Sequence, residues 1–155
     1  MIYDSTKDTQ EHIEKVRKNL KDVLIDIAAR SYDHDKSKLE EPEKSIFDEY
    51  TPKLRDTTYG SDEYREYLEK MGLGLKHHYQ NNTHHPEHYE NGINGMSLLD
   101  VIEMLADWKA ATKRHADGDI MESLKINKER FGISDQLYEI LVNTVEEMAW
   151  EWSST

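Results

Sequence analysis

Residues 97–108 read Ser-Leu-Leu-Asp-Val-Ile-Glu-Met-Leu-Ala-Asp-Trp, and this stretch decides the fold class. Its apolar residues recur at spacings of three and four, the pattern of a helix that buries one side. Ser97, with Asp100 three residues later, is typical of a capped helix start. The stretch therefore predicts a helix that begins at Ser97 and packs into a core. The apolar positions are Leu98, Val101, Met104, Leu105 and Trp108.

Patterns of the same kind lie on both sides of this helix. No stretch shows sustained alternation of apolar and polar residues, so strands are not expected. The sequence predicts an all-α fold, a single compact bundle of about five to seven helices spanning residues 1–155. Besides the helix that starts at Ser97 and ends near Gly118, the predicted helices cover residues 6–31, 42–50, 61–78, 119–130 and 134–151.

Proline and glycine set the expected boundaries between these helices. Pro52 should end the second helix at Tyr50 and leave a loop over residues 52–60. Gly72 and Gly74 should kink or split the third helix, because each is a weak helix former.

Composition excludes several classes of protein. The chain has 155 residues and no cysteine, which excludes disulfides, cysteine-ligated zinc and thiolate catalysis. The formal net charge of −12 opposes non-specific binding to nucleic acid. Neither a signal peptide nor a membrane span is recognisable, so we expect a cytoplasmic protein without a membrane partner.

Five of the eight histidines fall within residues 77–88. The apolar spacing of the third helix continues to His78, which should therefore point inward, and His77 should be the more exposed of the pair. His84 and His85 cannot be ranked from sequence. His12 falls at one end of the apolar stripe of the first helix and should also point inward. A single inward histidine is most often a core residue that bonds a backbone carbonyl.

Carboxylates accompany these histidines along the chain. His34 and Asp35 are adjacent, and Asp100 and Asp107 are two helical turns apart and share one face. Imidazoles and carboxylates that converge in an interior require a cation, because the carboxylates would otherwise repel one another. Ligands of this kind, without sulfur, suit one or two divalent transition metals: Mn, Zn, Fe, Ni or Co.

The order of these residues resembles the HD superfamily of metal-dependent phosphohydrolases. Residues 34–38, His-Asp-Lys-Ser-Lys, look like the family's His-Asp-x-Gly-Lys segment, with Ser37 in place of Gly. Residues 84–87 resemble the His-His-Glu segment of its cyclic-dinucleotide branch. The segments HDKSK, HHYQNNTHHPEHY and EMLADW look closer still to an uncharacterised family of small proteins from bacteria and their phages. The resemblance covers about residues 10–115.

The resemblance implies an HD-like helical domain, a metal centre and a reaction. Asp35 is a candidate bridge between two metals, and Lys38 could hold a phosphate oxygen. The metal activates a water molecule that attacks the phosphorus of a small phosphorylated substrate, of which a nucleotide is the favoured class. Three acidic residues, Asp100, Glu103 and Glu87, are candidates to orient the imidazoles. The implied metal ligands are His12, His34, Asp35, His78, His84, His85 and Asp107.

Three other interpretations stay open. The chain could be a non-catalytic, metal-stabilised helical binding protein of phage or bacterial origin, a di-iron protein that activates oxygen, or a helical interaction domain without metal. Tyr79, Tyr89 and Trp108 could stack on a base or pack in the core. Trp150 and Trp152 cannot share a helix face, so one of them could form a contact between copies in an oligomer.

Overall fold

The computed structural model describes residues 3–57, 61–113 and 118–150, in which six α-helices and no strand occur. This confirms the predicted all-α fold and the number of helices. No helix in these ranges is long and apolar enough to cross a membrane. Three short 3-10 turns, Lys36–Leu39, Pro86–His88 and Gly92–Gly95, lie between the helices. The helices are α1 (Thr6–Asp33), α2 (Glu43–Asp56), α3 (Asp62–Asn81), α4 (Leu98–Thr112), α5 (Ile120–Phe131) and α6 (Asp135–Glu147).

The chain divides into two units, Met1–His34 and Asp35–Thr155. The described part of the first unit is the single helix α1, which has no buried residue. Its apolar stripe forms as predicted, and His12 lies on the same side as Val16 and Leu20. His12 is nevertheless exposed, contrary to the expectation of an inward side chain. A unit made of one helix contains no second surface that could cover its stripe.

The apolar core of the second unit is built from its last three helices. α4 contributes the stretch that decides the fold class, and α5 and α6 contribute the opposing surfaces. Trp108 packs against this core and stacks on Phe131, with ring centroids 6.0 Å apart and nearly parallel planes. The buried apolar residues are Val101, Met104, Leu105, Ile120, Leu124, Ile133, Leu141 and Val145.

Serine side chains begin three of the helices, as the sequence predicts. Ser97 and Asp100 form a complete capping box at the start of α4. The hydroxyl of Ser61 accepts a hydrogen bond from the backbone of Tyr64, and Ser134 caps α6 in the same way. Each hydroxyl satisfies a backbone N–H group that has no partner within its own helix.

The predicted end of the second helix at Tyr50 is wrong, because α2 continues through Pro52 to Asp56. Contacts near this proline hold the last turns in place. The rings of Tyr50 and Tyr67 on α3 lie 5.9 Å apart, and the Lys53 ammonium group lies over both. These contacts offset the missing N–H of proline. Two other predicted ends are too late, since α4 ends at Thr112 and α6 at Glu147.

α3 is continuous, so the predicted break at its two glycines is also wrong. Gly74 lies where α3 meets α2, and a Cβ atom at this position would stand 3.0 Å from Cγ2 of Ile46. Gly72 has open space around the corresponding position. Close packing of two helices therefore accounts for Gly74 but not for Gly72.

Substitutions at the two glycines should have different effects on stability. Gly72→Ala should raise the free energy of unfolding by about 1 kcal/mol, because alanine is the better helix former. Gly74→Ala should gain less, and Gly74→Val should lower it by about 1–3 kcal/mol through overpacking against Ile46. Urea denaturation of the three variants measures the difference. Equal gains at both positions would contradict the close contact between α2 and α3.

Candidate metal centre

Four side chains of the second unit converge on one point: Asp35, His78, His84 and His85. Each offers an atom that can ligate a metal, and all four atoms lie within 4.8 Å of one another. Asp35 precedes the Lys36–Leu39 turn, His78 lies in the last turn of α3, and the other two histidines precede the Pro86–His88 turn. His78 and His84 are each 1% exposed. The cluster is therefore an interior feature of this unit.

The spacing of the ligating atoms fits a single ion. Oδ1 of Asp35 lies 3.2 Å from Nε2 of His78 and 3.5 Å from Nε2 of His84. Nε2 of His85 lies 2.9 Å from Nε2 of His78. With metal–ligand distances of about 2.1 Å, adjacent ligand atoms are about 3.0 Å apart in an octahedral shell and about 3.4 Å apart in a tetrahedral shell. The three measured distances span this range.

Local backbone structure explains how neighbouring residues reach this point. Asp35 adopts the left-handed conformation, with φ of 58°, in which Asp and Asn are more common than most other residues. At the end of α3, the Asn82 side chain donates to the backbone oxygen of His78 at 2.8 Å. Asn82 itself is extended, so the chain leaves the helix there and continues to the two histidines.

A glutamate lies at hydrogen-bond distance from the Nδ1 atom of each of the two buried histidines. Nδ1 of His78 lies 2.9 Å from Oε2 of Glu43, and Nδ1 of His84 lies 3.1 Å from Oε1 of Glu103. A carboxylate oxygen only accepts hydrogen bonds, so each imidazole carries its hydrogen on Nδ1. Both Nε2 atoms are then acceptors that face Asp35, and that of His78 accepts a hydrogen bond from Nε2 of His85 at 2.9 Å.

The hydrogen bonds at the cluster also favour a bound cation. Oδ1 of Asp35 and Nε2 of His84 are buried and make no hydrogen bond, although both residues bond through their other polar atoms. Buried acceptors that face one another are unfavourable unless a cation lies between them. The donor set, three imidazoles and one carboxylate, suits a transition metal and not calcium.

The protonation states of His85 and Glu43 at neutral pH favour the binding of a cation. Burial, together with the neighbouring imidazoles of His84 and His78, lowers the pKa of His85 to about 3, against the opposing effect of Asp107 and Asp35. Burial alone would raise the pKa of Glu43, but hydrogen bonds from His77, Ser37 and His78 give it a lowered pKa. At neutral pH, His85 is therefore a neutral ligand and Glu43 is an anion.

Two further predicted site residues lie beside the cluster. Nζ of Lys38 donates to Oδ2 of Asp35 at 2.6 Å, which places a cationic group next to the convergence point. An oxygen of Asp107 lies within 4.8 Å of an oxygen of Asp35. Asp107 is also close enough to His85 to favour its charged form.

The two remaining predicted ligands belong to the first unit. His34 ends α1, with its backbone N–H bonded to the oxygen of Arg30, and is joined to Asp35 by one peptide bond. His12 lies on α1. The structure therefore brings together four of the seven predicted ligands, places Asp107 next to them, and leaves His34 and His12 as predictions.

Of the three carboxylates predicted to orient the imidazoles, one contacts a histidine of the cluster and two have other partners. Glu103 contacts His84, as expected. Asp100 instead accepts hydrogen bonds from Thr83, Tyr89 and Ser97, because it closes the start of α4. Glu87 pairs with an arginine of α5, Arg130, at 2.8 Å.

Sequence reasoning missed Glu43, which is fully buried and contacts both His77 and His78. It lies far from these histidines in sequence, and no local pattern connects them. The only available signal was its place at the start of a helix directly after the His-Asp segment.

The aromatic residues near the site mostly have structural roles. Trp108 and Trp150 pack against the apolar core, and Tyr89 donates to Asp100. Tyr79 differs, because its ring lies 5.0 Å from the ring of His85. Trp152 lies outside the described residues.

Comparison with protein families gives a match over most of the chain. The model of a family of unknown function, DUF5662, matches residues 1–148. No curated protein and no solved structure matches the chain.

The pKa of His85 predicts how the stability of the metal-free protein depends on pH. Between about pH 6.5 and pH 3 the unfolded chain binds a proton at this residue that the folded chain does not. The free energy of unfolding should therefore fall as the pH is lowered through this window. His85→Gln should make the dependence shallower, as measured by urea denaturation with chelator present. The substitution His12→Gln, at an exposed histidine, serves as control. Equal slopes for His85→Gln and the parent would contradict the half-buried, neutral imidazole.

Proposed function

Because this chain belongs to DUF5662, a family whose function is unknown, we propose a function from the site itself. The protein is a metal-dependent phosphohydrolase that cleaves a phosphate ester of a small substrate, with nucleotides as the favoured class. Asp35, His78, His84 and His85 hold the metal ion.

One observation supports this proposal above all others. Three acceptor atoms, Oδ1 of Asp35 and the Nε2 atoms of His78 and His84, face one another inside the protein. Each of the two imidazoles is held in this orientation by a glutamate on its other nitrogen. Carboxylate–histidine pairs of this kind are the usual support of metal-ligating histidines.

The charges of the ligands favour a phosphate as the reacting group. One carboxylate and three neutral imidazoles leave a divalent ion with a formal charge of +1 in its ligand set. Such an ion supplies a site that lowers the pKa of a bound water and attracts a phosphate oxygen. Lys38, beside Asp35, adds a second cationic group that can hold another oxygen of the same phosphate. A local field of this kind operates despite the net charge of −12.

The choice of a nucleotide depends on the resemblance to the HD superfamily and on one aromatic residue. The His-Asp-Lys-Ser-Lys segment that resembles the superfamily contributes both Asp35 and Lys38. The ring of Tyr79 lies beside His85 and offers a surface on which a base can stack.

A metal with a purely structural role is the second candidate. Four protein ligands would fill a tetrahedral shell, as in structural zinc sites, and leave no position for water. The second unit also has few buried apolar residues among those described, so a metal could supply much of its stability. This candidate predicts bound metal without catalysis.

Replacing Asp35 should remove the metal without disturbing the backbone. Asn has nearly the same shape and also tolerates the left-handed conformation of Asp35, but it lacks the charge. The parent protein, purified without a His tag or chelator, should contain stoichiometric Mn, Zn, Fe, Ni or Co. Asp35→Asn should lose most of it in elemental analysis. Asp62→Asn, an exposed carboxylate at the start of α3, should retain the parent's content. A parent without metal, and without thermal stabilisation by added Mn, Zn, Ni or Co, would exclude the metal centre.

Lys38→Gln should separate catalysis from metal binding. The metal content should stay at the parent level, because Lys38 contacts a ligand and is not one. The rate of phosphate release from nucleoside mono-, di- and triphosphates should fall by about 100-fold, the effect of removing one charged donor. Phosphate release measured with the metal found in the parent tests this. A metal-loaded parent that hydrolyses none of these substrates, nor a phosphodiester such as bis(p-nitrophenyl) phosphate, would favour the structural metal.

A further inference from the structure

Glu43 is a fully buried carboxylate, and its hydrogen bonds all come from polar groups of two neighbouring elements. Oε1 accepts from Nδ1 of His77 at 2.7 Å. Oε2 accepts from Nδ1 of His78 at 2.9 Å and from the hydroxyl of Ser37 at 3.1 Å. A buried anion requires such partners, and Glu43 has three of them. Only one of these partners, His78, belongs to the proposed metal centre.

The direction of these hydrogen bonds is fixed by Asn82. Its side-chain nitrogen lies 2.8 Å from the backbone oxygen of His78, which can only accept, so the amide must present its NH₂ group there. The same NH₂ group donates to Oγ of Ser37 at 2.8 Å. The hydroxyl of Ser37 is thereby an acceptor toward Asn82 and directs its own hydrogen to Glu43.

The tautomer of His78 follows from this arrangement. Ser37 Oγ and Asn82 Nδ2 also lie 3.2 and 3.0 Å from Nδ1 of His78, but their hydrogens are directed elsewhere. Oε2 of Glu43 offers only an acceptor and is hydrogen-bonded to Nδ1 at 2.9 Å, whereas Oδ1 of Asp35, 3.2 Å from Nε2, makes no hydrogen bond. Nδ1 therefore carries the hydrogen of the ring. Nε2 then presents a lone pair to the cluster before any metal is bound, where it accepts a hydrogen bond from Nε2 of His85 at 2.9 Å.

We infer that Glu43, Ser37 and Asn82 form a positioning relay that fixes His78 in its Nδ1–H tautomer and so prepares Nε2 to bind metal. Glu43 is a positioning residue, since it acts on the metal only through His78. Ser37 has a specific part in the relay, because its hydroxyl accepts from Asn82 and donates to Glu43. The effect of the relay on affinity rests on the proposed metal centre, whereas the tautomer is a property of the protein alone.

The tautomer can be read directly in the parent protein. Two-bond ¹H–¹⁵N NMR spectra of the metal-free chain at pH 7.5 distinguish the two nitrogens of each histidine, and a His78→Gln variant assigns the signals. We expect His78 in the Nδ1–H form. An Nε2–H form, or an even mixture, would overturn the inference, and this result does not depend on whether the protein binds metal.

Glu43→Gln tests the influence of the relay on affinity. The variant keeps the shape of the side chain but loses its charge and one acceptor. We expect binding of Zn²⁺ alone, measured by competition with a chromophoric chelator, to weaken by about 10- to 100-fold. His78 should also become a mixture of tautomers. Glu49→Gln, the same change at an exposed position of α2, should bind Zn²⁺ as the parent does. Unchanged affinity in a folded Glu43→Gln would overturn the relay.

Ser37 provides a second test that does not require replacing a buried charge. Ser37→Ala should weaken Zn²⁺ binding, and Ser37→Thr, which restores the hydroxyl, should recover most of it. A structural role alone would change the melting temperature of the metal-free protein but not this pattern of rescue. Equal affinities for Ala and Thr would contradict the relay, even if Glu43→Gln fails to fold. A parent that binds no Zn²⁺ would instead contradict the proposed metal centre and leave the tautomer measurement as the test.

Discussion

Three hydrogen-bond acceptors face one another inside the second unit, and this unfavourable contact is the constraint around which its polar interior is arranged. The protein maintains it by bonds on the far side of each group: Lys38 to Asp35, Glu43 to His78 and Glu103 to His84. These supporting residues come from the Lys36–Leu39 turn, from the start of α2 and from α4. The bonds that orient the candidate ligands therefore also join the elements that hold them.

The second unit has two interiors of different chemistry. Helices α4, α5 and α6 share an apolar core, in which non-directional burial dominates. Around α2 and α3, the buried residues include Glu43, His78 and Asn82, which interact through directional hydrogen bonds. Apolar cores tolerate substitutions that conserve volume, whereas a polar network loses its geometry when one member is removed. The two parts should therefore respond very differently to mutation.

Local patterns predicted much of this structure. The apolar spacing of α3 indicated that His78 points inward and that His77 is the more exposed of the pair, and the structure confirms both. The Ser97–Asp100 capping box was visible in sequence because both of its members lie within one helical turn. Long-range contacts were not visible in this way. Glu43 meets His78 only after α2 has packed against α3, and the continuation of α2 past Pro52 depends on Tyr67 from the other helix. For the same reason, sequence could not decide between His84 and His85, and the structure brings both to the cluster.

The four converging residues come from well-separated parts of the chain. Asp35 precedes α2 and α3, whereas His85 follows them, so an ion held by both residues closes the whole intervening segment into a loop. Closing a loop of this length removes conformational freedom from the unfolded chain, an effect of about 4 kcal/mol for a covalent cross-link. The chain contains no cysteine and cannot form a disulfide. A metal at this point would take the place of a disulfide as a cross-link, and the link would form only where the ion is supplied.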